Sequence, residues 1–421
     1  MSISDFGPRL RTVEGIARHV QERIREIVPD GPYCILGWSS AAAVAYESVI
    51  QLLGQDVQVN FLGLVDPVWP NSFASYFPQL LPLTVHFVLT GAVQPPSGST
   101  EVEQAWGTAT PQRVELAVEN MDLSAIVDAL EDSFIPRAAK EAYSPLVTIQ
   151  DGRGEGDTLY CIPGAGDSVF QFLPFTSGLV TSGLEGNRVF GLQPRGLDER
   201  LLPHTTVEAA ARSYAAAITL YAPPKRLHLI GHSFGGWVAF ETALLLVDAG
   251  LAVESLTLID SSAPQDTTLN LERSWYDVLV HWVDLLQLAV DDGRLLIDRR
   301  LLVEFHPHAA LSYIHRQMVE CDLLSPRSRW ESLRGALRTF AAAVRTGYCP
   351  STLFEGKALY VFAADDKSDR RADHERRESA LTFWQRFAPN LGCQDGPGNH
   401  ITILKDPHAK HLAHWWRSAH E

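Results

Sequence analysis

The segment Gly231-His232-Ser233-Phe234-Gly235 carries the clearest chemical signal in the sequence. An apolar strand is predicted before it, from Leu227 to Gly231, and a helix after it, from Gly236 to about Asp248. In this setting G-x-S-x-G is typical of a strained strand-to-helix turn that projects a serine hydroxyl above the edge of a sheet. Glycine is needed on both sides because side chains there would collide. We therefore predict that Ser233 is a catalytic nucleophile.

A serine nucleophile needs a base within hydrogen-bond reach and a third group that orients the base. His400 lies in the turn that follows a late strand, which is where α/β-hydrolases place their base. Two acids compete for the orienting role, because Asp260 ends one predicted strand and Asp365 follows the next. Either strand end can deliver a carboxylate to His400. We predict Asp260 as the acid and keep Asp365 as the alternative, because charged residues continue the turn around Asp365.

Acyl transfer also needs two backbone N–H donors for the oxyanion of the tetrahedral intermediate. Phe234 follows the nucleophile at the positive end of its helix and is predicted to supply one donor. The glycine-rich loop after the strand that ends at Ile162 contains Gly164 and Ala165, the candidates for the other donor. This loop lacks the Lys-Ser/Thr of a P-loop and the spacing of a dinucleotide fingerprint, so an oxyanion hole is favoured over a phosphate site.

The elements that position these residues occur twice. Thr12 recurs as Thr206, and the offset of 206 − 12 = 194 residues also relates Ser39 to Ser233 and Asp66 to Asp260. Both copies alternate helix, strand, Gly/Ser turn, helix and strand. This alternation predicts an α/β fold with a doubly wound, mostly parallel sheet.

The two copies differ in completeness. We predict a truncated, lidless copy at residues 1–138 and a complete copy at 144–421, with a helical lid at about 264–355. The first copy keeps Ser39, but Met121 stands at the position of His400, and a thioether is no general base. It also has no counterpart of the oxyanion loop in this sequence. We therefore expect the first copy to be non-catalytic, with a docking or structural role.

The composition excludes several other functions. The formal charge is −15, from 50 acidic residues against 35 Lys plus Arg, and no basic cluster is present, so nucleic acid is not an expected partner. The five cysteines are scattered and form no C-x-x-C pair, which predicts neither a disulfide framework nor a metal site. No signal peptide or membrane span is visible, and we expect a cytoplasmic protein.

Six motifs run in order through the second copy: Ile162 to Gly166, Gly191 to Leu197, Thr206 to Glu208, Gly231 to Glu241, Leu258 to Asp260 and Gly398 to His400. Together they resemble the thioesterase domain that ends nonribosomal peptide and polyketide synthetases. The resemblance implies an α/β-hydrolase fold with a helical lid and no bound cofactor. In the synthetase-terminal branch of this family the acid follows the earlier strand, at Asp260, whereas in the stand-alone editing branch it follows the later one, at Asp365.

The resemblance also implies an activity. An acyl or peptidyl chain passes from the phosphopantetheine thiol of a carrier protein or domain to Ser233, and is then released by hydrolysis or macrocyclisation in natural-product biosynthesis. Two alternatives stay open: an editing (type II) thioesterase that strips aberrant acyl groups from carriers, and a carrier-binding module without turnover. The sequence contains no carrier signature, so the acyl donor is expected from another segment or chain. It leaves open the substrate, hydrolysis against cyclisation, and the oligomeric state.

Overall fold

The computed structural model of this 421-residue chain describes residues 12–39, 41–65, 85–88, 143–152, 156–198, 201–221, 226–264, 273, 275–290, 293–305, 307–364 and 370–420. These residues form one sheet of three strands and one of seven, with helices packed around both.

The three-stranded sheet lies in the N-terminal part of the chain. Its elements are α1 (Val13–Ile27), β1 (Tyr33–Trp38), α2 (Ala41–Gly54), β2 (Val59–Val65) and β3 (Val85–Val88). The strands run parallel in the order β1-β2-β3. Apolar residues of β2 and of α2, among them Leu62, Tyr46 and Val49, form its core.

The seven-stranded sheet has the order β10-β9-β8-β7-β5-β6-β4, in which β4 pairs antiparallel with β6 and the other pairs are parallel. Its first elements are β4 (Leu146–Gln150), β5 (Thr158–Ile162), α3 (Leu173–Thr181), β6 (Arg188–Leu192), α4 (Val207–Leu220), β7 (Leu227–His232), α5 (Phe234–Asp248) and β8 (Val253–Ile259). After an insertion follow β9 (Ala358–Phe362), α10 (Arg370–Phe387), β10 (Leu391–Asp395) and α11 (His408–Ser418).

Helices cover both faces of this sheet. Trp237, Phe240 and Trp384 pack on one face, whereas Phe175 and Trp416 pack on the other. Central strands buried on two sides need continuous apolar runs, and β7 is buried along its whole length. The predicted α/β-hydrolase class, with a doubly wound and mostly parallel sheet, is confirmed.

The insertion between β8 and β9 is helical. It contains α6 (Trp275–Leu288), α7 (Arg299–Glu304), α8 (Pro307–Glu320) and α9 (Ser332–Val344). These helices bury a core of their own, which includes Leu279, Trp282 and Phe340. The helices occupy the stretch for which a lid is predicted. Two of them reach the cleft described below, α6 through His281 and Leu285 and α9 through Phe340 and Val344.

Strand pairs in the two sheets involve residues that are related by the offset of the sequence repeat. Tyr33 pairs with Val59 in β1 and β2, and Leu227 pairs with Val253 in β7 and β8, with a register irregularity after the first pair in both sheets. The N-caps match as well, because Thr12 accepts from the amide three residues on and Thr206 does the same. Position 138 lies outside the described residues, so the predicted division into two domains stays a prediction.

The first sheet also contacts the rest of the chain directly. Arg195 forms an ion pair with Asp56, which follows α2. Arg345, at the end of α9, forms an ion pair with Glu14 of α1 at 2.9 Å between Nη2 and Oε1. The first sheet is therefore packed against the C-terminal end of α9, one of the two lid helices that reach the cleft.

Candidate active site

Ser233 lies at the turn between β7 and α5 with φ of 53°, in the left-handed region that side chains rarely adopt. The neighbouring glycines explain how the chain accommodates this turn. A β-carbon on Gly231 would lie 2.3 Å from the carbonyl oxygen of Gly235, and one on Gly235 would lie 2.4 Å from that of Ile162. The local sequence therefore has the residues that a nucleophile elbow requires.

Ser39 has almost the same backbone conformation. Its φ is 54°, and its amide donates to Val65 at 2.9 Å, as the amide of Ser233 donates to Ile259 at 2.8 Å. Alanine replaces the last glycine of this motif at Ala41, whose side chain is exposed. The elbow of the first sheet thus tolerates a methyl group where Gly235 packs against backbone carbonyls.

His400 and Asp260 form a hydrogen-bonded pair, with 2.7 Å between Nδ1 of His400 and Oδ2 of Asp260. Asp260 directly follows β8 and is buried. Burial raises the pKa of this carboxyl, but the hydrogen bond and charge of His400 and the guanidinium of Arg376 outweigh burial, so the pKa falls to about 2. Asp260 is therefore ionised at neutral pH and accepts the Nδ1 proton, which leaves Nε2 of His400 as the basic nitrogen.

His232, inside the G-x-S-x-G motif, supports the base from below. Its Nε2 donates to the backbone oxygen of His400 at 2.9 Å, and the two rings lie 5.0 Å apart. Burial and the nearby charge of His400 lower the pKa of His232 to about 3, so its imidazole is neutral. The sequence analysis did not predict this role. The signal was the position of His232 directly before the nucleophile, which places it beside the same cleft.

The glycine-rich loop after β5 lies beside the nucleophile. A β-carbon on Gly164 would lie 3.5 Å from Cβ of Ser233, and Gly164, Ala165 and Phe234 all line the same cleft. Gly166 has φ of 73° and backs onto α9, where a β-carbon would meet Cβ of Phe340 at 2.8 Å. The loop is thus positioned by the lid, and its use as an oxyanion hole stays a prediction.

Ser233 and His400 open into one cleft of about 280 Å³ between the sheet edge and the lid. Charged and titratable side chains that sequence reasoning did not single out also line it: Asp167, Arg273 and His281. Burial raises the pKa of Asp167 to about 6, although the charges of His400 and Lys405 act in the opposite direction. The guanidinium of Arg273 lies 3.1 Å from Nδ1 of His281. The cleft therefore offers polar groups of both charges to a bound chain.

Three residues considered in the sequence analysis lie outside the described residues: Asp365, Asp66 and Met121. The structure thus shows the pairing of His400 with Asp260 and leaves the alternative acid untested.

Among the residues that the structure describes, no cluster of His, Cys, Asp or Glu could hold a metal ion. No helix in that part of the chain is long and apolar enough to span a bilayer.

The fold and this site define an α/β-hydrolase with a serine at its nucleophile elbow. The family model described as the thioesterase domain matches residues 5–112 and 157–417, which is most of the chain. The chain therefore belongs to the thioesterase domain family. Family membership indicates hydrolase chemistry.

Known relatives are large synthases and synthetases. Microperfuranone synthase of Emericella nidulans is 27% identical over 323 residues, covering 73% of this chain and 32% of that protein. Chondramide synthase of Chondromyces crocatus is 23% identical over 297 residues, covering 69% of this chain and 7% of that protein. This chain thus spans a third or less of their length. A four-domain nonribosomal peptide synthetase has a similar fold, with a TM-score of 0.56, 19% identity, and coverage of 70% of this chain and 21% of that one.

Proposed function

We propose that this chain releases an acyl or peptidyl chain from the phosphopantetheine thiol of a carrier, through an acyl-enzyme on Ser233. The observation that carries the proposal is the 2.7 Å bond that the buried Asp260 forms with His400, which lines the same cleft as the strained elbow of Ser233. Membership of the thioesterase domain family supports the thioester as the bond that is cleaved. The names of the relatives, synthases and synthetases, support a place in natural-product assembly.

The reaction has two balanced halves. Oγ of Ser233 attacks the thioester carbonyl while Nε2 of His400 takes its proton, and the oxyanion that forms is held by the amides of Phe234 and the Gly164–Ala165 loop. Collapse of the intermediate breaks the carbon–sulfur bond, and His400 gives the proton to the departing thiolate, which leaves as the thiol. In the second half, water or a nucleophile of the bound chain attacks the ester on Ser233, with His400 again taking and returning the proton.

Asp260 keeps His400 in the required tautomer and stabilises the imidazolium that each half generates. A carboxylate at this position supports the synthetase-terminal branch over the editing branch, in which the acid follows the later strand. The carrier is proposed as a separate segment or chain that presents its thioester to the cleft. The first sheet is proposed to be non-catalytic and to act through its contact with the lid.

Mass spectrometry of the intact chain after mixing with an acyl-pantetheine thioester tests the proposal. The parent is expected to gain one acyl group on Ser233, and Ser233→Ala is expected to gain none, because only the nucleophile is removed. Turnover should fall by about 10⁴- to 10⁶-fold. Ser39→Ala is the matched control, since Ser39 has nearly the same φ as Ser233, and it should behave as the parent. An acyl adduct that persists on another residue of Ser233→Ala would contradict the assignment.

Analysis of the released product shows which nucleophile attacks the acyl-enzyme in the second half of the reaction. A linear acid reports attack by water, and a cyclic product reports attack by an amine or hydroxyl of the chain itself. Thioesters that differ in chain length test the editing alternative. Fast turnover of short acyl groups with little preference among them would favour editing, whereas a marked preference for a long peptidyl chain would favour terminal release.

A further inference from the structure

The second oxygen of Asp260 has a charged partner outside the predicted triad. Oδ2 faces His400, whereas Oδ1 accepts from Nη1 of Arg376 at 2.7 Å and from the amide of Ala363 at 3.2 Å. Arg376 lies on α10, 116 residues further along the chain. A buried carboxylate that meets partners on both oxygens cannot rotate without losing one of them.

Arg376 is itself held in place. Its Nη2 donates to Oδ1 of Asp373 at 2.8 Å and to the carbonyl of Ala363 at 3.3 Å, so one guanidinium joins α10 to the strand ends of β8 and β9. Its side chain is one-third exposed, and it is not among the residues that line the cleft. Arg376 is therefore placed to act on the acid without contacting the substrate.

We propose that Arg376 is a positioning residue that fixes the carboxylate plane of Asp260 and thereby aims the imidazole of His400 at Ser233, an inference that rests on the proposed function. A guanidinium matches a carboxylate in geometry as well as charge, because its N–H groups form a planar fork. Groups that orient a primary acid or ligand in this way typically contribute about 10- to 100-fold to the activity of a site.

The charge of Arg376 has a second effect. Both Arg376 and the imidazolium of His400 are stabilised by the negative charge of Asp260. Removal of Arg376 therefore favours protonation of His400, so that less of the free base is present at low pH. The acidic limb of the pH–rate profile should then move to higher pH, because a positive charge beside the acid has been removed. The variant retains the other titratable and charged groups packed around this pair, although Asp373 loses its bond to Arg376 and keeps the one to Arg377. These groups are His232, Tyr360, Asp167, His281, Asp373, Arg377 and Lys405.

The experiment compares Arg376→Gln with Arg377→Gln, its neighbour on the same helix. Arg377 also binds Asp373 but pairs with Asp395 instead of Asp260. For Arg376→Gln we expect kcat to fall about 10- to 100-fold with KM within about 2-fold of the parent, and the acidic limb to shift upward. Arg377→Gln should keep the parental kcat and profile. Arg376→Lys, which keeps the charge but not the fork, should recover part of the loss.

A double-mutant cycle separates positioning from a structural role. In the Asp260→Asn background, Arg376→Gln should cause no further loss of kcat, because its only route to the reaction has been removed. A similar loss in both backgrounds, or a parental kcat and profile in Arg376→Gln, would overturn the inference. Arg376→Met, which keeps the aliphatic stem, replaces the glutamine variant if that one does not fold. If the parent forms no acyl adduct on Ser233, the proposed function itself fails; if it does, only this inference is at stake.

Discussion

The carboxylate of Asp260 is the residue-scale feature on which the proposed chemistry depends most directly. Asp260→Asn should lower kcat by about 10³-fold or more, since an amide neither fixes the tautomer of His400 nor stabilises its imidazolium. Asp365→Asn is the matched comparison and should lose far less. Steady-state rates with one acyl thioester are sufficient for this test. The reverse order of the two losses would move the acid to Asp365 and favour the editing branch.

Ser39 tests whether backbone geometry alone makes a nucleophile. It has the φ of Ser233, but Met121 occupies the sequence position of the base, and an unassisted hydroxyl is a weak nucleophile. A fluorophosphonate probe should label Ser233 alone, with modification of Ser39 slower by at least about 10³-fold. Peptide mapping of the Ser233→Ala variant is the sensitive measurement. Labelling of Ser39 there at the parental rate of Ser233 would show a second active site.

The sequence was informative about residues that sit at motif positions. Ser233, His400 and Asp260 follow strand ends in the order that an α/β-hydrolase requires, so their meeting could be predicted from topology alone. Arg376 could not be predicted in the same way. It lies in a helix with several arginines, and only the packing of α10 against β9 shows which of them reaches Asp260. The same holds for Asp167, which looks like an ordinary turn residue in the sequence.

At the scale of elements, α9 connects the lid to the machinery around Ser233. One part of it packs against the glycine-rich loop through Phe340, and another packs against the segment after β6, where a β-carbon on Gly335 would lie 2.0 Å from the carbonyl oxygen of Leu197. A helical lid could be predicted from apolar residues at helical spacing. The contact between Gly335 and Leu197 could not be predicted, because a glycine within a helix does not indicate which residue it packs against.

Gly335→Ala is therefore expected to destabilise the protein. In an exposed helix the same change stabilises by about 1 kcal/mol, because alanine is the better helix former. Here the methyl group must displace α9 from Leu197, a cost of about 1 to 3 kcal/mol for overpacking. We expect a lower thermal midpoint and slower acylation of Ser233. Gly186→Ala is the control, since a β-carbon there meets nothing within 4 Å. Equal stability of the two variants would show that α9 does not need this close approach.

At the scale of the whole molecule, the first sheet contributes a charged cluster that packs against the lid. Glu14 of α1 pairs with Arg345, and Glu47 of α2 accepts from Gln51 at 3.0 Å beside the same arginine. Burial and the charge of Glu14 raise the pKa of Glu47 well above its ordinary value of 4.5, although Gln51 and Arg345 act in the opposite direction. The folded chain therefore keeps the proton of Glu47 at pH values at which the unfolded chain has released it.

The sign of the pH dependence follows from proton counting. Above pH 4.5 the unfolded chain releases the proton of Glu47 while the folded chain keeps it, so stability falls as pH rises toward the folded pKa, by up to about 1.4 kcal/mol per pH unit. Glu47→Gln removes this slope and keeps the shape of the side chain. The thermal midpoint of Glu47→Gln should match that of the parent near pH 5 and exceed it near pH 8. Glu26→Gln, at an exposed position of α1, is the control and should follow the parent throughout. Parallel midpoint curves for the parent and Glu47→Gln would show that Glu47 ionises normally in the folded chain and would contradict the prediction.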